Sequence, residues 1–502
     1  MKKLLAIIIS VMLLTSVVAC NKDDSDDKSV STASNSVASS KTSVDDAGSS
    51  VVPQPTPVSA KFFSQGIRKT VVQGEKVVYT GIAARVLYSD NKEYVFGPEY
   101  LNIDNGGFDS NVPGSYHHTV TFPGLSERHE FDIEVIKKPA EASGIVNISV
   151  DCNYSGTKGA EDSKGYACYK TLNDALLVLQ YGGYSDTSFK NVYISIGKYN
   201  EKLMIPSAVK NVRFIGMNED ASKTVISYGD CSDTGGGTDG SSTVTVKGSG
   251  FMAKNITFEN SYDYINGTHS NKQAVAFLNE SDGSVLYNCV FLGYQDTLQA
   301  KNNRQYYKDC TIKGTTDFIF GKAAVALFEN CDIVTRFTKE RATNNGYVTA
   351  HSGYLATPSV DGTKGMEFGY IFSGCRLTAE TGVLPGTVSL GRPWRCDATV
   401  AYINCEMGEH ISTVAFGTEN ANKTRYTSMS GGNRTNVPSE ANFVEFGNTG
   451  AGATNVDTED FTLLTNADNY TIANIFTKTN GKVSFATDWD AQASLTALKA
   501  IA

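Results

Sequence analysis

The chain has 502 residues, enough for two or three domains, and 40% of them are apolar, which supports a buried core. Gly (46) far outnumbers Pro (12), a balance suited to short strands joined by turns rather than to helical bundles. The formal charge of −9 excludes the electrostatic grip that a nucleic acid or another polyanion requires, and leaves room for a neutral or charge-masked polymer.

The chain opens on Lys2 and Lys3, followed by an apolar run, Leu4 to Val18, too short for a membrane span and ending in Val17-Val-Ala-Cys20. The pattern resembles a bacterial lipoprotein signal. That resemblance implies removal of residues 1–19, lipid on the Cys20 thiol, and an extracytoplasmic, membrane-anchored protein. An ordinary secretory cleavage near Ala19 is the alternative. Residues 20–57 are rich in Ser, Asp and Val and carry too little apolar matter to build a core, so a disordered tether is expected there. Within it, the acidic stretch Asn21 to Asp27 is similar to surface-export signals of some lipoproteins and equally suits a solvated linker.

Residues 58–138 change character. Val71 to Tyr79, Ala83 to Tyr88, Tyr116 to Phe122 and Glu130 to Ile136 are strand-like, with turn signals such as Ser89-Asp-Asn-Lys92 between them. Short strands at this spacing predict a small β-sandwich. The run, with its segment Gly107-Phe-Asp-Ser-Asn-Val-Pro-Gly114, resembles bacterial immunoglobulin-like domains, which implies a spacer or a weak surface adhesin.

The third region, 144–502, begins with Tyr169 to Leu179, where Leu172, Ala175, Leu176 and Leu179 recur at helical spacing; one helix is expected there, capping the core. Short β-rich segments follow, from Asn191-Val-Tyr-Ile-Ser-Ile196 to Val400-Ala-Tyr-Ile403, interrupted by polar turns every 15 to 30 residues. Repeats of that size mean stacked units, each unable to bury its apolar face alone. Cys289, Cys310 and Cys331 lie 21 residues apart, each preceded by Asn or Asp, and Cys375 and Cys405 recur in similar settings. Small side chains stacked inside a solenoid account for that phase; a disulfide framework or a metal cluster does not, because the ligand spacings are missing. The expected fold is therefore all-β: a right-handed single-stranded parallel β-helix preceded by the small sandwich. Loops and a short helix from Asp490 to Ile501 are expected to pack back on the solenoid.

Asp296 and Asp317 lie seven residues after Cys289 and Cys310, so they share one phase of the repeat and are predicted to stack on adjacent turns. Strands in a sheet are about 4.8 Å apart. At about 5 Å and an effective dielectric near 20, two carboxylates repel by about 3 kcal/mol, so one stays protonated where the other ionises. Such a pair supplies an acid and a base or nucleophile. A ladder of turn aspartates held by backbone N–H groups is the bland alternative. Gln295 precedes Asp296, and Gln273 stands 22 residues earlier, near one further turn; two amides beside a carboxylate pair can donate to a developing oxyanion. Arg392, in Leu390-Gly-Arg-Pro-Trp394, is suited to pair with one aspartate, and Trp394 offers a flat face for a sugar ring.

Taken together, Gly197-Lys-Tyr-Asn-Glu201, Gln273-Ala-Val-Ala-Phe277, Gly293-Tyr-Gln-Asp-Thr-Leu298, Asp317-Phe-Ile-Phe-Gly321 and Leu390-Gly-Arg-Pro-Trp394 resemble the pectin methylesterases, in the order of that family and across most of residues 144–455. The resemblance implies hydrolysis of the methyl esters of homogalacturonan to pectate and methanol, by a monomer, without cofactor or metal. It also implies roles: Asp317 as nucleophile, Asp296 as proton donor and then base, Gln273 and Gln295 as oxyanion donors, and Arg392 as the group that orients and ionises Asp317. Trp394 lines a sugar subsite, and Thr238, in Thr238-Asp-Gly-Ser-Ser-Thr243, aligns with a substrate-contacting threonine. The family often has a second tryptophan after the Arg-Pro-Trp motif; Ser412-Thr-Val-Ala-Phe-Gly417 stands in that region, with Phe416 as its candidate substitute. Gly229 to Gly240 and Thr338 to Gly365 are expected to be substantial loops that reshape the cleft. A β-helix thioesterase and a non-catalytic polysaccharide-binding surface lipoprotein are the competing readings. A serine hydrolase is disfavoured, because no Gly-x-Ser-x-Gly elbow is present.

Overall fold

The computed structural model describes residues 54–322, 324–339, 344–355, 363–418, 423–431 and 434–502. The expected signal segment, Cys20 and nearly all of the tether lie outside these residues. Everything described below belongs to one compact unit, Thr56–Ala502.

Residues 57–136 form two small sheets. One joins Pro57–Phe63, Ala83–Tyr88 and Glu93–Phe96; the other joins Thr70–Val72, Asn102–Asp104, Gly114–Thr121 and Arg128–Ile136. Alternation along Arg128–Ile136 puts Phe131, Ile133 and Val135 inside, against Ile67, Val71, Ile82 and Val120. The expected strand from Val71 to Tyr79 stops at Val72. Gly74 takes φ +87° there, and the Glu75 carboxylate accepts the Val72 N–H at 3.0 Å, which turns the chain.

This module packs against the region that follows. Val72 and Ile136 belong to the same buried cluster as the core of the following region. The Tyr169 and Tyr184 hydroxyls donate to the Lys137 and Pro139 carbonyls, and the Arg68 guanidinium lies 3.8 Å over the Tyr181 ring.

Beyond residue 144 the chain winds through three parallel sheets of 12, 8 and 7 strands, the first with one antiparallel strand, Glu141–Ala142, added at Ile145–Val150; this is the parallel β-helix that the repeats predict. The helix Leu172–Tyr181 covers its first turns. Thr171 Oγ1 accepts the Asp174 N–H at 3.0 Å, and the Glu201 carboxylate accepts the Leu172 and Asn173 N–H groups at 2.9 Å each. Glu201 of the Gly-x-Tyr-x-Glu segment is therefore a helix cap, and Tyr199, whose hydroxyl bonds the Val150 and Ser195 carbonyls, is a buried brace. At the other end, the helix Ala491–Lys499 lays Ala491, Leu495 and Leu498 against the outer face of the large sheet.

The 21-residue step is a register. Val285 pairs with Tyr306, Val290 with Thr311, and Leu298 with Ile319, each 21 positions on. On either side the turns lengthen: Val244 pairs with Phe277, and Ile319 with Thr349. Inside, the Sγ–H groups of Cys310, Cys331, Cys375 and Cys405 each donate to a carbonyl of the turn before, at 3.2–3.5 Å. Burial pushes these four thiols well above their usual range, so they act as small apolar fillers. Beside them Tyr307, Phe328, Phe372 and Tyr402 stack with successive centroids 4.7 Å apart, the spacing that the strands impose.

Each of these cysteines, and Cys289 a turn earlier, follows a residue in the left-handed region: Asn288, Asp309, Asn330, Gly374 and Asn404 have φ between 49° and 62°. That conformation turns the chain from one sheet into the next, and it explains the Asn, Asp or Gly before each cysteine. Asn330→Ala is expected to cost about 1 kcal/mol and Asn330→Gly much less, because only the alanine Cβ opposes the positive φ. Urea unfolding of the two variants checks this; equal destabilisation would show that the side chain, not φ, matters.

Candidate active site

The 7-stranded sheet builds a row across the solenoid. Thr245, Leu278, Gln299, Phe320, Ala350 and Arg392 are successive partners in register, one per turn. The two aspartates stand three residues before two members of this row. Asp296 precedes the strand Leu298–Ala300, and Asp317 lies in Thr316–Lys322. The Asp296 N–H donates to the Thr316 carbonyl at 3.0 Å, which ties the two turns together beside the pair. Both residues adopt positive φ, 64° and 52°, and the register slips by one residue between Thr316 and Ile319, at Asp317. A bulge with a left-handed residue re-aims a side chain that regular pleating would direct elsewhere.

Both carboxyl groups are buried, with relative exposures of 7% and 5%. Arg392 holds Asp317 through two bonds, Nε to Oδ1 at 2.8 Å and Nη2 to Oδ2 at 2.5 Å. Burial disfavours the guanidinium charge, but the Asp317 carboxylate more than offsets this and keeps Arg392 cationic. Its other support is aromatic: the guanidinium lies 3.9 Å from the centre of the Tyr347 ring, a ring that also carries the Lys423 ammonium at 3.3 Å. Asp296 has no such cation of its own. Burial first, and then the Asp317 charge, push its carboxyl well above the usual carboxylate range, against a smaller pull from Arg392. One neighbour thus offers an anion and the other a proton.

A cavity of about 600 Å³ opens on this pair. All seven cleft residues singled out from sequence line it: Thr238, Gln273, Gln295, Asp296, Asp317, Arg392 and Trp394. The Gln273 and Gln295 carbonyls accept the Ser232 and Ala274 N–H groups at 2.8 and 3.1 Å, which fixes their backbones at the mouth. Thr238 begins the short turn Asp239–Ser241, and its carbonyl accepts the Ser241 hydroxyl at 2.7 Å. The Trp394 N–H donates to the His351 carbonyl at 3.0 Å and its ring meets Phe320 at a centroid distance of 6.2 Å.

Sequence reasoning missed Asp239, Gln299, Phe320, Ala350 and Met429, which also line the cavity. Gln299 and Phe320 stand 21 apart, so the repeat held a signal for them. Met429 had none, because it arrives on a remote hairpin, Met429–Gly431 with Arg434–Asn436. Two loop expectations change. Phe416 does not line the cavity; the residue is 39% exposed and its backbone N–H is held by Asp460. Met429, packed in one cluster with Trp394, forms the wall there instead. The segment from Thr338 to Gly365 contains a strand of the site's own sheet, Gly346–Ser352, while its residues 340–343 and 356–362 lie outside the described set. Gly236 to Gly240 do line the cleft, as expected of the first loop.

The family model described as Pectinesterase matches residues 159–478. The chain is 36% identical over 260 residues to a probable pectinesterase/pectinesterase inhibitor 36 of Arabidopsis thaliana and 37% identical over 248 residues to pectinesterase 2 of Citrus sinensis. These alignments cover 49% of this chain in each case and 45% and 44% of the plant proteins, so the chain spans under half the length of the curated relatives it matches. Among solved structures, pectin methylesterase PemA from Erwinia chrysanthemi superposes with a TM-score of 0.53 at 25% identity, over 67% of this chain and 98% of that one. Pectin methylesterase from Yersinia enterocolitica does so with a TM-score of 0.50 at 29% identity, over 61% and 98%.

Proposed function

The chain belongs to the pectinesterase family, and on that premise we propose that it hydrolyses the methyl esters of homogalacturonan, releasing methanol and leaving pectate. The observation that carries this reading is the asymmetry of the carboxyl pair: Asp317 clamped by Arg392, and Asp296 buried beside it with its carboxyl pushed up.

In this reading the Asp317 carboxylate attacks the ester carbonyl. Arg392 occupies one lone pair on each oxygen and leaves others for attack. The charge that develops on the carbonyl oxygen is met by the amides of Gln273 and Gln295. Collapse expels methoxide, which takes the Asp296 proton and leaves as methanol, with an anhydride between Asp317 and the uronate. Asp296, now ionised, takes a proton from water as that water attacks the anhydride, and both carboxyl groups return to their starting states. Trp394 and Thr238 bind the sugars flanking the reacting ester, and the row from Gln299 to Arg392 forms the floor on which they lie.

The test is methanol release from densely methylated pectin by the full chain, with a metal chelator present. Steady release is expected; no methanol, or activity that requires calcium, would overturn the reading. We also infer that residues 58–138 are an immunoglobulin-like module, and that the chain is a monomeric lipoprotein anchored through Cys20 outside the cytoplasm. The N-terminal pattern Lys2 to Cys20 supports the anchor, and the two small sheets support the module.

A further inference from the structure

Among the described residues that line the cleft, Arg392 is the only cation, and the Nε–Nη2 edge of its guanidinium is paired with the Asp317 carboxylate. Lys301, behind the wall, is equally committed. It donates to Asp239 Oδ2 at 2.6 Å and lies 3.0 Å from Glu280, which also faces Lys247 at 4.0 Å. A third carboxylate arriving in the cleft finds no uncommitted ammonium or guanidinium among these groups.

It finds an anion instead. Asp239 lines the cavity, and its carboxylate is fixed from both sides, by Lys301 on Oδ2 and by Gln299 Nε2 on Oδ1 at 2.8 Å. Gln299 is 2% exposed and sits in the floor row, so the clamp has little freedom to swing the carboxylate away. Although burial works against ionisation, the bonds from Lys301 and Gln299 outweigh it and hold Asp239 below the usual carboxylate range. Asp239 also lines a second cavity of about 360 Å³, which continues the groove past Gly240 toward Lys202, Met204 and Thr245. It therefore stands where a bound polymer passes from one cavity to the next.

We propose that Asp239 is a specificity-determining residue: it makes the sugar position beside the reacting ester favour a methyl-esterified uronate and disfavour a free one. This rests on the esterase reading above. A methyl ester presents no charge to Asp239, whereas each free uronate carboxylate meets a fixed anion, and among the described residues lining the first cavity the one cation, Arg392, is already paired with Asp317. Like charges at this range, partly screened, change affinity by about threefold to tenfold. The product of one turnover would then weaken its own hold on the cleft and favour release over stepwise conversion of a block.

The experiment compares the full chain with Asp239→Asn and Lys301→Gln on pectins matched in length but methylated densely or sparsely, at low and high salt. The readout is the ratio of kcat/KM on sparse to dense substrate. Asp239→Asn is expected to raise this ratio about fivefold, Lys301→Gln to lower it, and 0.5 M salt, at about 4 Å of screening length, to bring all three together. Shifts of the same sign in the two variants, or ratios that do not move, would overturn the proposal. Binding of fully de-esterified oligogalacturonate, read by calorimetry, separates this from the esterase reading, since it needs no turnover. Tighter binding by Asp239→Asn supports the role of Asp239 even if no methanol is released, and unchanged binding counts against it.

Discussion

Asp317→Ala is expected to abolish methanol release, by at least about 10,000-fold, because in the proposed mechanism it removes the atom that bonds to the substrate. The same change leaves the Arg392 guanidinium, only 19% exposed, without its carboxylate. Breaking one side of a buried pair costs up to about 3 kcal/mol, so the variant is also expected to unfold at lower denaturant concentration. Asp317→Asn separates the two effects. It keeps the volume and one acceptor for Arg392, so stability recovers in part, yet a neutral amide is no nucleophile and activity stays lost. Activity is measured well below each variant's unfolding midpoint. Retention of more than about 1% of wild-type kcat by a folded Asp317→Asn would remove this residue from the nucleophile's role.

Asp296→Asn is expected to lower kcat by about 100- to 10,000-fold, the usual worth of a positioned general acid and base. Its pH behaviour distinguishes this from a structural role. Wild-type methanol release in a single turnover needs Asp296 protonated, so it is expected to persist well above the ordinary carboxylate range and to fall where the raised Asp296 titrates. The residual activity of the variant loses that alkaline limb. Stability moves in the same direction. The folded pKa is above the unfolded one, so between them the native state binds more protons and stability drops as pH rises. That contribution is whole below the unfolded value and gone above the folded one. The Asp296→Asn variant, with no proton to lose at this position, is expected to flatten this part of the curve of unfolding free energy against pH. A variant curve that parallels wild type across the window would show that Asp296 is not held protonated.

Much of this was legible in the chain because a solenoid converts sequence separation into distance. A 21-residue step between Cys289, Cys310 and Cys331 is also the step between Leu298 and Ile319, so equal phase became adjacency. Asn and Asp before the cysteines were visible as a pattern, but their reason, a left-handed corner between sheets, appeared only in the backbone angles. Glu201 shows the opposite case: its motif was easy to see, and its work as a helix cap was not, since Leu172 lies 29 positions away.

What eluded sequence reasoning lies where the repeat breaks. Met429 reaches the cleft from a hairpin outside the register, and Phe416, the aromatic the sequence suggested, is not among the residues lining it. The N-terminal module resembles a spacer or weak adhesin in sequence, and its Val72 and Ile136 join the buried cluster of the solenoid. Contacts of that kind depend on how two surfaces meet, and periodicity says nothing about them.

By itself, then, the sequence determined the repeat, the stacking of Asp296 on Asp317 and the residue types converging on them, since local spacing governs all three. The tertiary structure decided which aspartate carries the charge. Arg392 lies 75 positions beyond Asp317, and only the winding of the sheets brings its two donors onto that carboxylate while leaving Asp296 buried without a cation of its own.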